Sequence, residues 1–350
     1  MSAVRDRRLA PEAAVAAPRS LWILLAFILL LASVLGAATI GPADISAPEV
    51  WRSIAMHVGL PVEAGLSPLR DSIVWDARLP RIVTAGIVGA GLALSGAVVQ
   101  AVTRNPLADP FLLGLSSGAA LGAVSMVMLA SPLLLTPGAF AGALAALALT
   151  LAFAQAIGGL TPSKAILSGI AVSTLAAALT SLVIFWTATG DSYREILSWL
   201  MGSLAGAGWP AAAIAAAALV VVGPLVFAAR RTLDAFAFGD VAAATLGVDV
   251  SRSRWLLLGG TALLTGVLVS VSGAIGFVGL VVPHAARLVS GTGHRLMLPL
   301  AALGGAIFMI WTDTAARSLF APRELPVGIV TAMIGAPAFL AILWRFRRAT

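Results

Sequence analysis

Few side chains in this sequence can do chemistry, and most of them stand at the edges of long apolar runs. Arg78-Leu79-Pro80-Arg81 sets two arginines at the start of one such run. Arginines there either anchor a helix by snorkelling to the water interface or offer a planar fork to a partner's carboxylates. Arg317 and Arg323 fall on the same side of the predicted membrane and could join them. In Asp240-Val241-Ala242-Ala243-Ala244-Thr245-Leu246-Gly247, an acid is followed by small residues and then a glycine. An acid favours a helix start, small side chains let another body pack closely, and glycine ends the helix. The segment reads equally as a capped surface helix or as a seat for a motor. A third polar group, Arg104-Asn105-Pro106-Leu107-Ala108-Asp109-Pro110, interrupts two uncharged runs rich in Gly, Ala and Ser. Its prolines stop one helix and start the next.

Several chemistries are absent. A nucleotide-binding P-loop needs G-x-x-x-x-G-K-[ST], but the only lysine, Lys164, follows Thr161-Pro162-Ser163. His57 is far in sequence from His284 and His294, no H-E-x-x-H occurs, and a metal site built from the three is not expected. Without cysteine there are no disulfides, thiolate metal sites or cysteine nucleophiles. An ion-coupled transporter keeps ionisable groups within its spans. The nearest candidate here is Asp313, read as an interfacial helix-end carboxylate beside Arg317. The path must then be driven from outside the chain. A self-sufficient secondary transporter is the alternative class. An intramembrane enzyme lacks paired acids, a nucleophile–base pair or a metal cluster in its spans.

The elements that position these groups follow from composition. Hydrophobic residues make up 60% of the 350 and charged residues 11%, against about a quarter charged in soluble proteins. Apolar runs at 21–40, 82–103, 110–130, 139–157, 166–186, 209–228, 255–272, 277–287, 296–312 and 325–343 predict an all-α polytopic bundle of about ten spans. The 277–287 run is short, and Ser272–Gly276 reads as a broken-helix connection, tolerable only inside protein or beside a cavity. Leu21–Ile40 reads as a first span rather than a cleaved leader. With ten spans and a cytoplasmic N-terminus, the 22 basic residues divide into 15 inside and 7 outside, and the 15 acids into 6 inside and 9 outside. That bias predicts both termini in the cytoplasm. The net charge of +7 is spread along span ends, so nucleic acid is not expected as a partner. No composition break marks a second domain. Residues 1–350 read as one permease domain, with a cytoplasmic tail at 1–20 and a long cytoplasmic loop at 229–254.

On the strength of these residues, the chain resembles the FecCD-type permease family, the membrane subunits of type II ABC importers for iron-siderophores, haem and cobalamin. The likeness is carried by RLPR at 78–81, GAGLALSGAVVQAVTRNPLADPFLLG at 89–114, WLMGSLAG at 199–206, GDVAAATLGV at 239–248, GAIGFVGLVVPH at 273–284, HRLMLPLAALGGA at 294–306 and ELPVGIVTAMIGAPAFLAIL at 324–343. Seven motifs in the family's order cover the chain from about residue 70 onward.

The resemblance implies a homodimer in the bacterial inner membrane, in contact with lipid and enclosing one path on its two-fold axis. Two cytoplasmic ATPase subunits, which use ATP and Mg, would grip the loop at Asp240, Ala242, Ala243, Thr245, Leu246 and Gly247. A periplasmic binding protein would dock its glutamates on Arg78, Arg81 and Arg317. The cytoplasmic gate would fall at Asn105 and Leu107 and at Ser163, where Pro162 replaces a hydroxyl residue of the family pattern. This chain itself would bind no cofactor and perform no hydrolysis. For the cargo, an iron-bearing chelate is expected, haem ahead of ferric siderophore, with cobalamin as the alternative.

Overall fold

The computed structural model describes residues 19–347 except 63–64, 130, 132–133, 160, 188–189 and 322. Most of the predicted tail at 1–20 therefore lies outside the described residues. Among these residues there is no strand. Fifteen α-helices run in order: α1 (Arg19–Thr39), α2 (Ala47–His57), α3 (Pro68–Ser72), α4 (Leu79–Thr103), α5 (Leu115–Met128), α6 (Leu135–Ala156), α7 (Pro162–Thr187), α8 (Gly190–Leu200), α9 (Trp209–Ala228), α10 (Arg230–Phe236), α11 (Asp240–Thr245), α12 (Val250–Ser272), α13 (Val278–Ser290), α14 (His294–Ser318) and α15 (Val327–Arg347). A stretch of wider turns, Ile73–Arg78, joins α3 to α4. The fold is an all-α membrane bundle. Seven helical stretches are long and apolar enough to cross a membrane, and α5, α13 and Val327–Ile342 are shorter apolar helices.

Small residues set the packing. Helix α4 is the buried centre, flanked by α14, α12, α13 and α9. A Cβ added at Gly89 would overlap the Gly305 carbonyl of α14, and one at Gly96 would overlap Gly279 of α13. Gly118 and Gly122 of α5 meet Gly142 and Gly138 of α6 in the same way. In lipid, where apolar surface alone drives little association, such close backbone approach supplies the helix–helix attraction. The peripheral helices keep rows of exposed apolar side chains, among them Leu24, Phe27 and Ile28 on α1 and Leu167, Leu175 and Phe185 on α7. A bilayer or another helix must cover that surface.

Two connections shape the surroundings of the polar groups. The predicted helix from 110 onward begins later, because Asp109 caps a short 3₁₀ turn at Pro110–Leu113 and Gly114 turns left-handed at φ 85°. The break expected at 272–276 is present: Gly273 has φ 67°, Phe277 has φ 69°, and α13 starts at Val278. This irregular backbone is enclosed by protein. Ser203 N–H donates to the Ser272 carbonyl (2.9 Å), and a Cβ at Gly335 of α15 would strike the Phe277 ring.

Candidate functional site

The start of α4 and the end of α14 hold a buried charge cluster. Close approach at Gly89–Gly305 brings these helices together so that Arg81 meets Asp313. Arg81 Nε donates to both Asp313 oxygens (3.1 and 2.9 Å), Nη2 adds a third bond (3.0 Å), and Nη1 reaches Glu324 at 2.7 Å. Asp313 is 1% exposed, so it is no interfacial carboxylate, and its bonded partner is Arg81 rather than the Arg317 expected from sequence. Arg78 is delivered by the wide turns of 73–78 and donates to the Ala38 (3.3 Å) and Ala43 (2.7 Å) carbonyls. Gly41 makes room for it, since a Cβ there would sit 2.8 Å from Nη2. Arg317 Nη2 donates to the Ala37 carbonyl at 2.6 Å, and its buried Nε has no hydrogen-bond partner among the described residues.

The structure thus gathers all three predicted docking arginines in one place, but at 5%, 8% and 3% exposure for Arg78, Arg81 and Arg317. The group most open to an incoming partner is Glu324, whose side chain is 38% exposed. Three guanidinium groups face two carboxylates here, leaving an excess positive charge in a desolvated setting. Glu324 was legible only as the first letter of a motif. Its role depends on the turn that brings residue 324 back over the end of α14.

At the opposite face, the loop at 229–254 contains α10, α11 and the start of α12. Gly239 at φ 96° and Gly247 at φ 84° bracket α11. Asp240 accepts from Arg254 Nη2 through both oxygens, each at 2.9 Å, which ties α11 to α12. Of the predicted coupling residues, Ala243 is fully buried and packs α11 onto the body rather than facing outward. Leu246 is 67% exposed, and sequence reasoning missed its companions Phe238 (75%) and Val241 (82%). Exposed apolar side chains three to five positions apart around a short helix were the available signal.

The turn after α4 contains Asn105 and Leu107. Arg104 adopts φ 50°, the Asn105 side-chain oxygen accepts from Leu107 N–H (2.9 Å), and the Asn105 carbonyl accepts from Ala108 N–H (3.1 Å). This is an Asx-type turn, so Asn105 is partly occupied in shaping it, while Leu107 projects. Ser163 stands apart, exposed in the first turn of α7, and no hydrogen bond among the described residues joins it to Asn105 or Leu107. Asp109, which sequence reasoning passed over, lines a 390 Å³ cavity with Phe111, Ile170, Ser173, Phe277 and Leu280. The residue keeps some open edge, but its carboxyl is enclosed. Burial pushes it up to about 6, against the opposing hydrogen bond from Phe111 N–H.

A model of the FecCD transport family matches residues 25–345. The chain belongs to that family. It is therefore an ABC-transporter permease, a multi-pass protein of the cytoplasmic membrane, and members of this family are not themselves enzymes. They work with ATPase subunits and a substrate-binding protein. It is 42% identical to the cobalamin import system permease protein BtuC of Halobacterium salinarum, covering 92% of this chain and 95% of that one. It is 38% identical to the uncharacterized ABC transporter permease YvrB of Bacillus subtilis over 93% of this chain and 94% of the relative. A vitamin B12 import permease of Shigella boydii is 36% identical over 93% and 96%. Among solved structures, a transporter described as metal-chelate type, in an inward-facing conformation, superposes with a TM-score of 0.81 at 31% identity, over 92% of this chain and 98% of the other.

Proposed function

We propose that this permease forms the path for a cobalamin-type corrinoid, in place of the haem expected from sequence. The observation that carries this reading is 42% identity, along 92% of the chain, to a cobalamin import permease. The lean towards haem rested only on general likeness across the family. The path lies between two copies of the chain, with both termini and the Asp240–Gly247 segment on the cytoplasmic side. Two ATPase subunits seat on Phe238, Val241 and Leu246. ATP-driven closure of those subunits moves α11, and the Asp240–Arg254 ion pair passes that motion to α12.

Docking of the binding protein uses the outer cluster by exchange. An incoming carboxylate takes the place of Glu324 on Arg81 and reaches the unpartnered Nε of Arg317, while Arg78 and Asp313 keep the cluster assembled. Asn105, Leu107 and Ser163 close the inner end of the path. Reconstituting the permease with its ATPase subunits and binding protein in proteoliposomes tests the cargo. Cobalamin should give ATP-dependent uptake, and haem or a ferric siderophore should not. Uptake of either iron chelate with none of cobalamin overturns the assignment, and uptake without ATP overturns the importer mechanism.

A further inference from the structure

A cavity of 490 Å³ opens between the Arg104 turn, α10–α11 and the junction of α13 with α14. It is lined by Gln100, Arg104, His284, Arg287, Thr292 and His294 among others, and by no carboxylate. Three features give it the character of an anion site. Arg287 Nη1 is held by the Gln100 side-chain oxygen at 2.6 Å, and the Gln100 amide is itself anchored on the Gly279 and Leu280 carbonyls (3.2 Å each). Neither Arg287 nor Arg104 has a carboxylate at ion-pair distance among the described residues. Gly239 admits the Arg104 guanidinium, since a Cβ there would meet Nη1 at 3.0 Å.

His294 stands with them. It is 5% exposed, its Nδ1 is engaged by Asp234 Oδ1 at 2.6 Å, and its Nε2 is buried without a hydrogen-bond partner among the described residues. A buried polar atom left unpaired is costly. Because the Asp234 carboxylate only accepts, Nδ1 carries the shared proton, so Nε2 donates to a phosphoryl oxygen when the ring is doubly protonated beside the anion, and otherwise takes the proton of a P–OH group, which free phosphate supplies and a phosphodiester does not. Guanidinium forks match the same group bidentately.

We propose that this cavity binds a phosphoryl group, from an anionic phospholipid headgroup or from free phosphate, behind the Asn105–Leu107 turn. Basic pockets between membrane helices suit lipid headgroups. A neighbouring 570 Å³ cavity shares Thr292 and adds apolar surface from Ile23, Phe227 and Leu296 that an acyl chain can follow, together with the charge of Arg295. The site bridges the turn after α4 to the loop that carries α11, and it is independent of the cargo assignment.

The test uses the full-length permease in nanodiscs containing equal parts phosphatidylglycerol and phosphatidylcholine, with native mass spectrometry of retained lipid. A parallel melting series compares inorganic phosphate with chloride at matched ionic strength. Retention of phosphatidylglycerol over phosphatidylcholine, reduced about fivefold by either Arg287→Gln or the surface change Arg104→Gln, establishes the headgroup source. A phosphate-specific rise in melting temperature that both variants abolish, without lipid selectivity, establishes free phosphate. Absence of both responses overturns the proposal, as does selectivity that neither variant alters. If Arg287→Gln instead weakens only the ATPase subunits' binding, a protein carboxylate fills the cavity and the phosphoryl reading is wrong.

Discussion

Breaking the Arg81–Asp313 pair is the most direct probe of the buried charge cluster. Asp313 is 1% exposed and accepts three contacts of 2.9–3.1 Å from Arg81. Removing one member of a buried pair strands the other charge and costs about 3–5 kcal/mol. Each single change here should fall near the lower end, about 3 kcal/mol. Asp313→Leu leaves Arg81 with Glu324, and Arg81→Met leaves Asp313 near Arg317. The double variant removes both charges and replaces them with apolar volume, which is often close to neutral. Unfolding by sodium dodecyl sulfate titration in mixed micelles, run on all four proteins, gives the coupling energy. A coupling of about 3 kcal/mol or more is expected, with the double variant no worse than either single one. Singles that shift stability by less than about 1 kcal/mol, as exposed pairs do, would refute the buried-cluster reasoning, and so would simple additivity.

Three further outcomes are expected from the geometry. Gly122→Leu should separate α5 from α6, because even a Cβ at that position overlaps the Gly138 carbonyl. A loss of about 2 kcal/mol or more in the same titration is expected, and wild-type stability would count against the close crossing. Val241→Asp and Ala243→Asp should behave oppositely, since Val241 is 82% exposed and Ala243 is 0% exposed. The first should leave the permease's melting temperature within a degree or so while lowering co-purification of the ATPase subunits, and the second should lower the melting temperature itself. For Asp109, the folded carboxyl holds its proton up to about 6, against 3.8 ordinarily. The native state therefore binds the proton more tightly than the unfolded chain, so this contribution is favourable at low pH and declines as pH rises from about 4 through 6. Asp109→Asn should flatten that part of the stability-versus-pH curve, and an unchanged slope would show that the carboxyl is not enclosed.

Much of this protein was legible without coordinates. Ten apolar runs and the small-residue stretches at 89–114 announced a helical membrane bundle, because bilayer thickness dictates helix length and lipid leaves no other use for repeated glycine at crossings. The break after Ser272 was readable for a related reason: Gly273 and Gly276 bracket a stretch that no continuous helix accommodates. The order of motifs fixed the family. The roles of individual charges were not legible. Arg81 and Asp313 are separated by 232 positions, and nothing local says that one lies against the other. A one-dimensional reading places such residues at a helix end and hence at an interface. Only the antiparallel crossing of α4 and α14 carries them into the interior. The same limit applies to Ala243, buried although the next residue, Ala244, is exposed. It applies also to His294 and Arg104, which share a cavity only because α10, α13 and α14 converge. Composition and periodicity determine which segments leave water. The direction in which each polar side chain then points is decided by the three-dimensional packing, where desolvation and pairing distance are set.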